Sequence, residues 1–300
     1  VKDGCAGGDR WKDRVDARAV ALVRPFVRAL RRLHSPRFEG LSNLPAGPAL
    51  LVGNHGVLGY ETLLFFERIF EATGRLPRGL ADRWFFRVAG LRDALVRLGG
   101  MYGNADNALD ALRRGHLVVC YPGGAREVLK RSDADRYRLR WEKSVGFVKV
   151  ALAARVPIVP FAAAGVDDTY RILAYLAGSG DYLMGDEKYD LPILWGRGPL
   201  PAPVPFWFRI GAPIHPSLDE DARNEGVVRA LHRTIWSRTQ AMLDDLVAEW
   251  SATTTRSPPD PCRTGSAGAE VRAPGHRGQS PVRWMRRWIS SCTSGESERR

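Results

Sequence analysis

The stretch "PALLVGNHGVLGYETLLFF", residues 48–66, places a run of apolar residues before Gly53, a polar Asn54–His55 step, and then an apolar-periodic segment around Glu61. A short apolar run stopped by glycine reads as a buried strand over 49–52, and the spacing behind it reads as an amphipathic helix over about 60–72. The ionisable pair of the stretch, His55 and Glu61, therefore falls at the junction between strand and helix.

The same plan recurs twice downstream. Residues 106–114 read as a helix stopped by Gly115, followed by a strand "LVVCY" at 117–121 that ends in Pro122, Gly123 and Gly124. A helix in "EKSVGFVKVALAA" (142–154) then leads into a strand in "VPIVPFAAAG", ended by Gly165. Alternating strands and helices at this spacing predict an α/β fold, a mostly parallel central sheet flanked by helices. The functional site of such a sheet is expected at the carboxyl ends of its strands. Both His55 and the Gly123–Gly124 turn fall there. Residues 175–205 lack clean periodicity and read as a long surface excursion near the site. "FWFRIGAPI", 206–214, reads as a last strand, and 219–250 as a long helix.

Residues 11–33 carry apolar side chains at helical spacing (Trp11, Val15, Ala19, Val23, Phe26, Val27, Leu30), interleaved with Arg14, Arg18, Arg24, Arg28, Arg31 and Arg32. This is a basic N-terminal amphipathic helix, expected to bend at Pro25. It fits a helix packed on its own domain as well as one lying on an anionic membrane surface. After Trp250 the composition turns to Ser, Thr, Pro, Gly and Arg, the mark of a disordered tail. The expected division is thus an N-terminal helix in 1–40, one domain in 41–250, and a tail in 251–300.

With 44% hydrophobic and 26% charged residues the 300-residue chain is globular in composition, and its net charge of +12 calls for a polyanionic neighbour. Nine arginines against four acidic residues in 251–300 hold +5 of that charge, so it cannot all serve one site. A nucleic-acid module is not expected, since the arginines do not cluster with interleaved aromatics in any one element. Cys5, Cys120, Cys262 and Cys292 form no CxxC pair, which argues against a zinc site or a disulfide framework and for a reducing compartment. His34, His55, His116 and His215 show no ligand spacing, so no metal and no cofactor are expected. No apolar run reaches the length of about 18 residues needed to span a bilayer. Residues 1–10 lack the charged-then-apolar pattern of a secretory leader.

A histidine after a strand with a carboxylate in the first turn of the next helix can donate from Nδ1 to that carboxylate, leaving Nε2 to take a proton from a hydroxyl. The chain has no GxSxG elbow, and Cys120 sits within an apolar strand as a structural thiol would. A base without an enzyme nucleophile suggests direct attack by a substrate hydroxyl on an activated acyl or phosphoryl group. The alternative is a satisfied, partly buried histidine. In "VVCYPGGAREVL", 118–129, Gly123 and Gly124 can turn backbone N–H groups toward an anion and Arg126 can add a bidentate clamp, or the glycines can serve only a tight turn.

Together, "GNHGVLGYE" and "YPGGARE", supported by "GGMYGNADNALDALRRGHLVVC", "YRLRWEKSVGFVKVALAARVPIVPFAAAGVDD" and "RIGAPI", resemble the PlsC-like glycerolipid acyltransferases over roughly 41–216. The nearest likeness is to the branch of phytyl ester synthases and neutral-lipid acyltransferases. The resemblance implies a His55–Glu61 dyad in which His55 deprotonates an acceptor alcohol that attacks the thioester of acyl-CoA or acyl carrier protein. It also implies that Asn54, Gly123, Gly124, Arg126 and Glu127 form the substrate-binding surroundings. The acceptor is then a glycerolipid hydroxyl of the lysophospholipid type, or alternatively diacylglycerol or another lipid alcohol. An anionic membrane partner follows, with the protein on the cytoplasmic face, peripheral or monotopic. Two departures stand out: the usual pattern has Asp five positions after the histidine, where Tyr60 stands, and Gly123 replaces a glutamate. A lipid-binding pseudoenzyme with a decayed dyad is the rival reading.

Overall fold

The structure, a computed structural model, describes residues 13–255 apart from 88–89, 131–132, 143, 185–188, 199 and 218–220. In chain order its elements are α1 (Ala17–His34), β1 (Arg37–Glu39), β2 (Ala49–Gly53), α2 (Glu61–Thr73), β3 (Arg78–Ala81), α3 (Leu91–Arg97), β4 (Gly100–Tyr102), α4 (Ala105–Arg113) and β5 (Leu117–Cys120). There follow α5 (Ala125–Val128), α6 (Gly146–Ala154), β6 (Ile158–Ala164), β7 (Arg171–Leu176), α7 (Ser179–Met184), β8 (Leu191–Trp195), β9 (Trp207–Ile210) and α8 (Glu225–Thr255). Seven strands form one sheet in the order β1-β9-β6-β2-β5-β3-β4. The five from β6 to β4 are parallel. At the other edge β9 runs antiparallel to β6, and β1 parallel to β9. The mostly parallel α/β sheet expected from the alternation is the architecture observed.

Side chains of a strand alternate between the two faces of the sheet, so one strand can feed two cores. In β2, Leu50 and Val52 pack with Ala108 and Leu112 of α4, Val148 and Leu152 of α6, and Ile235 and Leu246 of α8. Ala49 and Leu51 point the other way, onto Val27 and Leu30 of α1 and Leu64, Phe65 and Ile69 of α2. Burial on both faces is why the strand reads as a continuous apolar run rather than an alternating one.

Several expected elements differ in extent, each for a local reason. Helix α1 starts at Ala17, where the Asp16 side chain accepts a bond from the Arg18 N–H, and it continues through Pro25. Trp11, expected to open it, lies outside the described residues. Helix α6 begins at Gly146 rather than 142. Helix α8 begins at Glu225 rather than 219, since the Asn224 side chain accepts from the N–H groups of Gly226 and Val227 and so caps the first turn. It extends to Thr255, past the expected start of the tail, whose residues 256–300 lie outside the described residues. The excursion over 175–205 carries ordered pairing: its β8 pairs with β7, which starts before it at Arg171, in a separate two-stranded antiparallel sheet with a register shift between Ile172 and Ala174.

Leu51 is fully buried at the centre of the sheet whereas Leu22 is 82% exposed on α1. Leu51→Ala is expected to lower unfolding free energy by about 2–5 kcal/mol in urea titrations, and Leu22→Ala to stay within about 0.5 kcal/mol of the parent.

Candidate active site

The site begins where β2 ends. Gly53 lies so close to β6 that a Cβ would sit 2.5 Å from the Phe161 ring. Beyond it the Asn54 side chain takes over from the strand ladder: its Oδ1 accepts from the Ala163 N–H at 2.8 Å and its Nδ2 donates to the Ala163 carbonyl at 2.9 Å. Both polar ends of this buried amide are therefore committed. Asn54 ties the exit of β2 to β6, a scaffold role beside the expected binding one.

The turn that follows is strained in a useful direction. Leu58 and Gly59 both adopt left-handed backbone, with φ of 65° and 70°, uncommon for a leucine. The turn returns the chain to His55, and a Cβ on Gly59 would lie 2.5 Å from His55 Cε1 and 2.9 Å from Nε2. Glycine at this point keeps that edge of the imidazole uncovered. Glu61 then opens α2, where the unpaired N–H groups of the first turn favour a negative charge.

Glu61 Oε1 stands 2.6 Å from His55 Nδ1 and accepts a second bond from the Gly56 N–H at 2.9 Å. Burial pushes the Glu61 carboxyl up, but the His55 charge and the bonds from His55 and Gly56 outweigh it and hold the group below its ordinary value. An ionised carboxylate only accepts, so Nδ1 is the donor of this bond, and in the neutral imidazole Nε2 then carries the lone pair. Among the described residues none bonds Nε2. The imidazole stacks on Tyr121 with centroids 3.9 Å apart and planes within 11°, and the Tyr121 hydroxyl lies 2.8 Å from Thr62 Oγ1.

Tyr60, at the position where the resemblance would place the acid, turns away. Its hydroxyl lies 3.0 Å from His34 Nε2, while His34 Nδ1 donates to the Val204 carbonyl at 2.7 Å and the His34 ring stacks on Phe206. With Nδ1 donating, Nε2 is the acceptor and the tyrosine the donor. The His–Glu spacing is thus met by a different side chain and a longer turn, and geometry brings the two expected dyad residues together.

The Gly-Gly stretch also has a scaffold role. The Gly124 N–H is consumed by the Tyr121 carbonyl at 3.0 Å. A Cβ on Gly123 would collide with the Glu127 carboxylate, so this glycine makes room for an acid beneath the turn. Glu127 is buried, with Oε2 accepting from the His55 N–H at 3.0 Å and Oε1 from the Arg140 N–H at 2.9 Å. Gly123, Gly124 and Glu127 are therefore scaffold for His55, and of this stretch Arg126 alone presents an exposed charge.

Sequence reasoning missed the residues beneath. Lys130 Nζ donates to the His55 carbonyl (2.9 Å), the Glu127 carbonyl (2.7 Å) and Asp167 Oδ1 (2.9 Å). Asp167 Oδ2 accepts from the Tyr137 N–H at 2.8 Å, and the Tyr137 hydroxyl donates to Asp168 and accepts from the Gly165 N–H. Burial pushes the carboxyls of Glu127 and Asp167 up, against the charge of Lys130. Among the described residues no group of His, Cys, Asp and Glu could hold a metal ion, and no helix is long and apolar enough to cross a membrane.

Residues 35–164 match the family model described as "Acyltransferase". A mouse protein named "DGAT1/2-independent enzyme synthesizing storage lipids" is 27% identical over 202 residues, covering 67% of this chain and 60% of that one. A chicken protein of the same name is 34% identical over 181 residues, covering 60% and 52%. "Phytyl ester synthase 2, chloroplastic" of Arabidopsis thaliana is 33% identical over 166 residues, covering 52% of this chain and 22% of the plant protein. The chain thus spans about half to three fifths of the two animal relatives and under a quarter of the plant one.

Since the Glu61 carboxyl titrates below its reference of 4.5 in the folded protein, its contribution to stability is fully present above that reference and is lost as pH falls through the native value. Glu61→Gln is therefore expected to be less stable than the parent at neutral pH. In a pH series of urea midpoints that gap should close as pH drops below 4.5.

Proposed function

We propose that this protein, whose residues 35–164 match the family model described as "Acyltransferase", is an O-acyltransferase that moves a fatty acyl group from a thioester onto a lipid hydroxyl, with His55 as general base. The observation that carries the reading is the His55–Glu61 pair with Nδ1 engaged at 2.6 Å and Nε2 open. In the reaction the acceptor oxygen attacks the thioester carbonyl while its proton passes to Nε2. The C–S bond then breaks, and the departing sulfur takes that proton from the imidazolium. Glu61 holds the tautomer and stabilises the transient imidazolium. No enzyme nucleophile is needed, and the nearby Cys120 thiol, pushed up to about 12 by burial, is a poor candidate for one.

A neutral acceptor such as diacylglycerol or a long-chain alcohol fits better than lysophosphatidate. The ammonium of Lys130 is spent on three protein oxygens, which leaves Arg126 as the open cation of the Gly-Gly stretch. The names of the relatives, which refer to storage lipids and phytyl esters, point the same way. Acyl-CoA or acyl carrier protein would supply the thioester. A membrane surface is the natural source of such acceptors, and two features suit it. Helix α1 exposes Leu22 and Phe26 beside exposed Arg18, Arg24 and Arg28. The β7–β8 sheet exposes Leu176, Ile193 and Trp195 on one face. Arginines of this kind complement the anionic cytoplasmic leaflet, where we place the protein.

The test is ester formation and thiol release from oleoyl-CoA, and from oleoyl acyl carrier protein, on anionic liposomes carrying diacylglycerol, fatty alcohol, monoacylglycerol or lysophosphatidate. The expected result is turnover that depends on a neutral acceptor and falls by about 10²–10⁴-fold in His55→Ala. Turnover unchanged in His55→Ala, or none with any donor and acceptor from the folded protein, would overturn the reading in favour of a lipid-binding pseudoenzyme.

A further inference from the structure

We propose that Lys130 is a positioning residue for the dyad, gripping the peptide of His55 while its ammonium balances the buried carboxylates that surround the histidine. The inference rests on the reading of His55 as the base and deepens it. Its ground is a set of contacts that a surface lysine never makes. The Lys130 and Asp167 side chains are 3% and 0% exposed and meet at 2.9 Å. All three ammonium protons have a partner, and one of those partners is the His55 carbonyl itself. With the His55 N–H on Glu127 and its carbonyl on Lys130, the main chain of the histidine is clamped from both ends by groups three residues apart, in α5 and just after it.

The charge argument is independent of the clamp. The groups in contact with His55 are Glu61 from α2, Glu127 from α5, Lys130 just beyond α5, and Tyr121 just after β5, and Asp167 from the loop after β6 lies one contact further, on the Lys130 ammonium. Tyr60, the next-nearest titratable group on its own turn, is bonded to His34. Glu61 and Glu127 are buried acids on the histidine itself and Asp167 is a third behind Lys130, and a nearby carboxylate favours a protonated imidazole. An imidazolium cannot accept a proton from a hydroxyl, so a site holding the acids alone would store the histidine in its inactive form. A cation that donates to the Asp167 carboxylate and to the main-chain carbonyls of Glu127 and His55 offsets that bias. An arginine would not substitute, because its planar fork cannot send three protons to three separate oxygens from one nitrogen.

The experiment needs no substrate, so a failure of the proposed activity and a failure of this inference are told apart. In protein labelled at histidine ring carbons and nitrogens, NMR reads the ratio of imidazolium to imidazole at His55 at one fixed pH, the signal being assigned by its loss in His55→Asn. Lys130→Met is expected to raise that ratio about tenfold, and Asp167→Asn, which leaves the lysine in place and removes an anion, is expected to lower it. A residue with a merely structural role would change stability and leave the ratio alone. If Lys130→Met does not fold, Asp167→Asn decides by itself. An unchanged or increased ratio in Asp167→Asn, or an unchanged one in folded Lys130→Met, overturns the proposal.

Discussion

The contact between the Lys130 ammonium and the Asp167 carboxylate, 2.9 Å apart and shut off from solvent, is the constraint on which the site depends. With the Lys130 bond to the His55 carbonyl it joins three segments: the end of the α5 turn, the loop leaving β6, and the main chain of His55. A buried ion pair of this kind contributes little net stability, because desolvating two charges costs about as much as their attraction returns. What it provides is definition of geometry. Each member is saturated by further bonds, Asp167 by the Tyr137 N–H and Lys130 by two carbonyls, and a fully satisfied polar network admits one arrangement.

From that anchor the rest of the site follows by steric logic. Glu127 can lie beneath the turn because Gly123 has no side chain, and once there it holds the His55 N–H. His55 faces Glu61 because Leu58 and Gly59 turn left-handed and bring the start of α2 back to the imidazole. The extra residue between histidine and acid is absorbed in this turn, and Tyr60 is diverted into a separate cluster with His34 and Phe206. A spacing that reads as a departure in one dimension thus becomes an ordinary His-carboxylate contact in three.

How much of this could be read in advance depended on whether the cause was local. Strands β2, β5 and β6 were legible because both of their faces are buried and their apolar runs end in glycine or proline. Strands β1, β3 and β4 have three or four residues each and are too short to carry a period. The β7–β8 sheet lost its alternation to a register shift and to an exposed apolar face, so it read as an irregular loop. His55 and Glu61, six residues apart, were visible as a pair. Lys130 was not, since its partners lie 75 and 37 residues away at His55 and Asp167, and no local pattern separates a buried lysine from a solvated one. Asn54 and Glu127 were singled out for the right place, but their part in the scaffold was not legible. Their polar groups turn inward to hold the scaffold, which only the partners across 109 and 72 residues reveal.

The central claim is that the fold delivers a histidine with its proton fixed on Nδ1 and its Nε2 lone pair open to a substrate hydroxyl. The most direct measurement is the tautomer of His55 at neutral pH, from the ring nitrogen chemical shifts and the one-bond N–H coupling of the labelled protein. A protonated Nδ1 with an unprotonated Nε2, lost when Glu61 is replaced by alanine, is the result this account predicts. A protonated Nε2 in the parent protein would contradict it.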